Sequence, residues 1–129
     1  MKGYSLNIEK ETKSNTDYRR VLYTAKHSQL VLMSLAPGEE IGEEVHQLDQ
    51  FLRFEEGEGK AILDGVEHPV SANDAVVVPE GVRHNVINTG SGPLKLYTVY
   101  SPPAHKDGTV EKTKADEHEE HFDGITTER

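Results

Sequence analysis

The sequence predicts an all-β domain: one antiparallel barrel with a short C-terminal helix. Three observations carry this. Short apolar runs separated by turn residues recur at roughly the 8–12-residue spacing of sandwiches and barrels. No helical period of useful length occurs before residue 109. Asp64-Gly65 stands between two such runs, and a type I′ hairpin needs positive φ at both central positions, which this pair tolerates. With 129 residues, 34% of them hydrophobic and 29% charged, the chain supports one core and not two.

In chain order, residues 1–17 are polar and form an N-terminal arm, open between a loose segment and an edge strand. Residues 18–103 hold the barrel. Its strands are expected at 21–24, 29–36, 51–55, 60–63, 66–70, 75–78, 84–88 and 94–100. The breaks between them are Pro37-Gly38, Gly57-Glu58-Gly59, Asp64-Gly65, Pro79-Glu80-Gly81 and the run from Thr89 to Pro93, all of turn composition. Residues 104–129 form a C-terminal segment. Within it Thr113 to Asp116, followed by a run rich in Glu and His, reads as a capped, charged helix of about two turns ended by Gly124.

Composition excludes several functions. A net charge of −9 repels a phosphate backbone, so nucleic acid is not an expected partner. No stretch approaches the ~18–20 apolar residues of a membrane helix. Cysteine is absent, which removes thiolate metal sites and disulfides. The N-terminal residues lack the apolar stretch of a signal peptide, so a cytoplasmic location is expected.

Two turn-bounded blocks concentrate donors for a metal. In the first, Glu44 and His46 are two apart and share one face of an extended strand, and Gln50 follows after a short connection. In the second, Pro79-Glu80-Gly81 precedes a strand opening with His84. A turn can bring these four groups together.

In their spacing the two blocks resemble the paired motifs of the cupin superfamily, in particular the small single-domain, mannose-6-phosphate-isomerase-like members. Gly38, Glu44, His46, Gln50 and Gly57 fall on the first motif; Asn73, Pro79, Gly81, His84 and Asn88 fall on the second. The resemblance spans residues 38–88, and the strand pattern carries it to Tyr100. It implies a double-stranded β-helix, the cupin jelly roll, whose closure removes sheet edges and leaves a cavity at one end. It also implies one divalent metal ion held by Glu44, His46, Gln50 and His84. Glu44 stands where the family has its first histidine and Gln50 where it has a glutamate, so the carboxylate has moved and the ligand charge is unchanged. Two imidazoles and two oxygens favour manganese, iron(II) or zinc, with nickel or cobalt as substitutes.

Strand parity sorts the rest. Leu52 and Phe54 share the inward face of Gln50, whereas Arg53 and Arg83 point to solvent. Tyr100 lines the pocket, and Lys95, of opposite parity, is expected to be wet. His105 follows Pro102-Pro103 and reaches the pocket if that segment crosses the open end. Tyr100 and His105 are therefore the candidate acid–base residues. His118 and His121 are expected on the solvated face of the tail helix. The motif strands carry no inward Lys or Arg, which disfavours a sugar phosphate. The resulting expectation is a metal-dependent isomerase or lyase acting on a small hydroxycarbonyl, sugar-like substrate. Metal-dependent dioxygenase chemistry and a non-catalytic small-molecule-binding domain are the alternatives. Outward Phe51 and Ile87 point to a homodimer.

Overall fold

The computed structural model describes residues 1–118 and 120–129. Helix α1 (Ile8–Ser14) precedes strands β1 (Arg19–Thr24), β2 (Gln29–Leu35), β3 (Asp49–Glu56), β4 (Glu58–Leu63), β5 (Val66–Ser71), β6 (Ala75–Val78), β7 (His84–Asn88), β8 (Leu94–Ser101) and β9 (Val110–Glu111). They form a jelly roll of two antiparallel sheets, one in the order β6-β3-β8-β2-β1-β9 and one in the order β5-β4-β7. Inward residues alternate along the strands: Leu52 and Phe54 are buried on β3, as are Leu94 and Leu96 on β8. With Val31 and Met33 they form one cluster with Ala61, Val70 and Val86 of the smaller sheet. Burying one such aliphatic side chain contributes about 1.5–3 kcal/mol.

The eight expected strands are all present, within two residues at each end. The β4–β5 hairpin turns at Asp64 (φ 48°) and Gly65 (φ 82°), the positive pair that the turn requires. The free edge of β7 is covered by the segment preceding β3, through bridges Glu40–Ile87 and Glu44–His84. That pairing places the first motif beside the second.

Four features depart from expectation. The arm contains α1, capped by the Asn7 side chain, which accepts from Lys10 N. Only Thr12 of this helix is buried, so it shows no apolar stripe from which a period could be read. Lys95 is not wet: α1 packs over it, and its Nζ donates to Lys13 O at 2.7 Å, satisfying a carbonyl at the end of α1. The tail helix is reduced to a single 3-10 turn, Lys114–Asp116. The Asp116 carboxylate accepts from Thr113 N and Oγ1 there, but the chain is extended by Glu117. The acidic run has no apolar face to stabilise further turns. Glu119, part of the expected helix, lies outside the described residues. The sheet also extends beyond residue 103, because β9 pairs with β1 in the register Arg19–Glu111.

Candidate metal centre and its cavity

Backbone pairing builds the first half of the site. Glu44 N donates to His84 O and His84 N donates to Glu44 O, both at 2.9 Å. Such a directly opposed pair points its side chains to one face. His46, two residues on, shares that face. Its Nε2 lies 3.0 Å from Glu44 Oε2, and its ring centroid is 5.0 Å from that of His84. Gly81, at φ 86°, makes the tight turn before His84 and donates its N–H to His46 O at 2.9 Å, tying the motifs together. His84 Nδ1 lies 2.9 Å from Val82 O, an arrangement that places the proton on Nδ1 and leaves Nε2 as a free donor atom.

Gln50 approaches from β3. It is buried, its Nε2 donates to Thr98 Oγ1 at 3.0 Å, and among the described residues its Oε1 has no partner. Tyr100 on β8 is opposite Gln50 on one side and Gln29 on the other. Its ring stands edge-on to His46 at 6.1 Å and to His105 at 5.1 Å. His105 is therefore not a solvated loop residue. Gln29 fixes it from below, donating to His105 O at 2.7 Å and accepting from His105 N at 3.0 Å.

The electrostatics follow from burial and neighbours. Burial works to raise the Glu44 pKa, but the hydrogen bond from His46 and the charges of His46, Arg19 and His84 outweigh it and hold the carboxyl below its usual range. Burial pushes the Tyr100 phenol up to about 12. Burial, reinforced by the Arg19 charge, lowers His105 to about 3, so its imidazole is neutral at physiological pH.

Above these groups lies a cavity of about 1000 Å³, whose lining includes Glu44, His46 and His105. Gln50, His84 and Tyr100 are buried next to that lining and are not part of it. His118 and His121 are exposed, as expected, but on extended chain rather than a helix; both border the cavity, and the backbone of His121 bridges to that of His105. As the side chains stand, Glu44 is bonded to His46, and among the described residues no three His, Asp, Glu or Cys side chains form a group that holds an ion.

Sequence reasoning missed a second group of lining residues. Arg19 is 4% exposed and lines the cavity with Lys114 and Glu117. The signal was present, since Arg19 has the inward parity of Val21 on β1, a cation where the strand pattern calls for an apolar residue.

The sequence from residue 31 to residue 100, from β2 to the end of β8, matches the cupin domain. The chain belongs to the cupin family. It is 48% identical over 122 residues to the uncharacterized protein YrkC of Bacillus subtilis, a match covering 89% of this chain and 66% of YrkC. The chain thus spans about two thirds of that relative. Among solved structures it is similar to BH2720 of Bacillus halodurans, with 48% identity, a TM-score of 0.86 and coverage of 88% and 91% of the two chains. It also resembles a predicted oxalate decarboxylase from Thermotoga maritima, with 27% identity, a TM-score of 0.57 and coverage of 59% and 67%.

Proposed function

We propose that this cupin is a metal-dependent enzyme of the isomerase or lyase type, acting on a small hydroxycarbonyl compound, with Glu44, His46, Gln50 and His84 as ligands of one divalent ion. The observation that carries this reading is Gln50. A buried oxygen left without a partner costs about 1–3 kcal/mol, and a cation is the partner that Gln50 Oε1 lacks. His84 supports it, since its Nδ1 is held by a backbone carbonyl as metal-ligating histidines usually are. Loading needs Glu44 to rotate away from His46. The donor set suits manganese, iron(II) or zinc.

A bound ion of this kind supplies Lewis-acid polarisation of a substrate carbonyl. The remaining chemistry belongs to the chain. Tyr100, buried just behind the lining, is a phenol protonated at neutral pH, and burial raises its pKa further; it would donate from Oη to a substrate oxygen that reaches past the lining as negative charge develops there. His105, neutral and with Nε2 unpartnered, accepts a hydrogen bond from a substrate hydroxyl and orients it. The presence of these two groups beside the ligand set favours turnover over simple binding. The Thermotoga protein's description as a predicted oxalate decarboxylase is in keeping with lyase chemistry on a small acid.

The test is direct. Metal-loaded protein is incubated in deuterium oxide with a panel of aldoses, ketoses and 2-oxo acids and followed by NMR. Conversion or deuterium incorporation that chelation stops is expected; neither, above the chelated control, would leave a binding domain without turnover. We also propose a symmetric dimer through the outer face of β6 and β3, where Val77 is exposed opposite half-buried Phe51. Light scattering at the monomer mass would refute it.

A further inference from the structure

In the same cavity as the proposed metal centre, one carboxylate of the chain sits in a nest of donors. Glu117 Oε2 accepts from Arg19 Nη2 at 3.3 Å and from Tyr18 Oη at 3.2 Å, and its Oε1 accepts from Lys114 Nζ at 3.1 Å. We propose that Arg19, Tyr18 and Lys114 form a recognition site for the carboxylate of a small hydroxy or oxo acid, and that Glu117 is an internal stand-in which the ligand displaces. The inference rests on the proposed reaction for its substrate class and narrows that class to acids.

The two acidic partners of Arg19 are not equivalent. Glu111 is fixed: its side chain is 1% exposed, it lies on β9 opposite Arg19, and its Oε1 accepts from Arg19 Nη1 at 2.5 Å while Oε2 accepts from His118 N. Glu117 lies just past the 3-10 turn, outside any strand, and its side chain is 33% exposed. Its bonds are longer than the roughly 2.7–2.9 Å of well-formed charge-assisted pairs. Glu111 is thus the structural counterion, and Glu117 is the exchangeable one. Arg19 itself is buried and lines the cavity, and its Nε–H is unpartnered. A guanidinium binds a carboxylate best through two parallel N–H bonds, and Glu117 satisfies only one of them.

Charge balance permits the exchange, since the group is neutral with either carboxylate in place. Arg19 and Lys114 face Glu111 and Glu117, so a ligand carboxylate that replaces Glu117 restores neutrality. Lys114 is held in place by a bond from Nζ to Ile41 O at 2.7 Å. Arg19, Lys114, Glu44 and His105 line the same cavity, so a ligand held at Arg19 lies in the space that the proposed metal centre faces.

The experiment uses the ¹⁵N-labelled full chain after chelation, titrated with lactate, glycolate and pyruvate, with lactamide as the uncharged control. The Arg19 Nε–H resonance is the reporter. The acids are expected to shift it saturably and lactamide is not. Glu117→Gln keeps the shape and removes the competing charge, so it should tighten acid binding about tenfold. Lys114→Met should weaken it by a similar factor. Equal response to lactamide, or no tightening in Glu117→Gln, overturns the proposal. Because no metal is present, acid binding here combined with no turnover by the loaded protein would leave this site standing and remove the proposed reaction. Turnover of neutral sugars with no acid binding would do the reverse.

Discussion

The two walls of the cavity are built by different physics. On one side Glu44 and His46 line the cavity with Gln50 and His84 buried behind them; Gln50 and His84 stand on β3 and β7, Glu44 is bridged to His84, and His46 is held by the Gly81 N–H, so main-chain hydrogen bonds fix all four. On the other, Glu117 and Lys114 stand on irregular chain held to the barrel by side-chain contacts to Arg19, Tyr18 and Ile41. Register is rigid and local, whereas ion pairs exchange partners and respond to charge. Such a division suits a site in which one wall fixes a reacting centre and the other accommodates an arriving anion.

The largest effect should come from the Arg19 pair. Arg19→Met leaves Glu111 buried with its charge uncompensated, which costs about 3–5 kcal/mol. Urea denaturation of the chelated protein should show that loss, and Arg19→Met combined with Glu111→Leu should recover much of it, because replacing both partners removes the unpaired charge. A single variant as stable as the parent would mean that this wall is not held by the pair.

The metal wall should respond to ions. After chelation, manganese or zinc at about a hundred times its Kd should stabilise the fold by ~2.7 kcal/mol, read as a rise in Tm. His84→Ala should abolish most of that rise and His118→Ala should leave it. Glu44→Gln, which removes the ligand charge, should weaken binding more than Gln50→Glu. Since ligand histidines must be deprotonated, the rise should shrink as pH falls from about 7.5 to 5. Equal behaviour of the His84 and His118 variants would erase the distinction between the walls.

That distinction also marks what could be read from sequence. The strands and the hairpin at Asp64-Gly65 follow from period-two patterning and turn chemistry, both of which are local, and the adjacency of the two motif blocks is implied by the family resemblance. Arg19, Glu111, Lys114 and Glu117 meet only because β9 returns to pair with β1, and a two-residue strand leaves no periodicity to detect. The tail misleads for a related reason. Thr113 and Asp116 form the expected capping contacts, but a cap starts a helix without sustaining one, and His121 pairs with His105 instead. Lys95 was legible in direction and not in environment, since its parity faces outward and α1 covers that face.

His105 joins the two walls and gives the smallest and most specific effect. It sits on the segment leaving β8, against Tyr100, with Arg19, Glu44, His46 and His121 as its charged or titratable neighbours. In the folded protein burial holds its pKa at about 3, whereas an unfolded histidine titrates near 6.5. Below about pH 6.5 the unfolded chain takes up a proton that the folded chain refuses, so acid favours unfolding. The loss accrues at up to ~1.4 kcal/mol per pH unit and ceases near the folded value, where both states carry the proton. Between pH 6.5 and 5 this amounts to about 2 kcal/mol. That window excludes the lowered Glu44 carboxyl, whose contribution is present above its unfolded pKa and is lost only as pH falls through its folded one. His118 acts with the opposite sign, because its pKa is raised by the backbone hydrogen bond at Asp116; its contribution is lost as pH rises through the folded value. His105→Gln retains a polar side chain without the titration and keeps the backbone N–H that donates to Gln29. Urea melts of the chelated proteins at pH 7.5, 6.5 and 5 should therefore show a flatter decline for His105→Gln than for the parent. Parallel declines would place His105 in water, detached from Tyr100 and from the wall it joins.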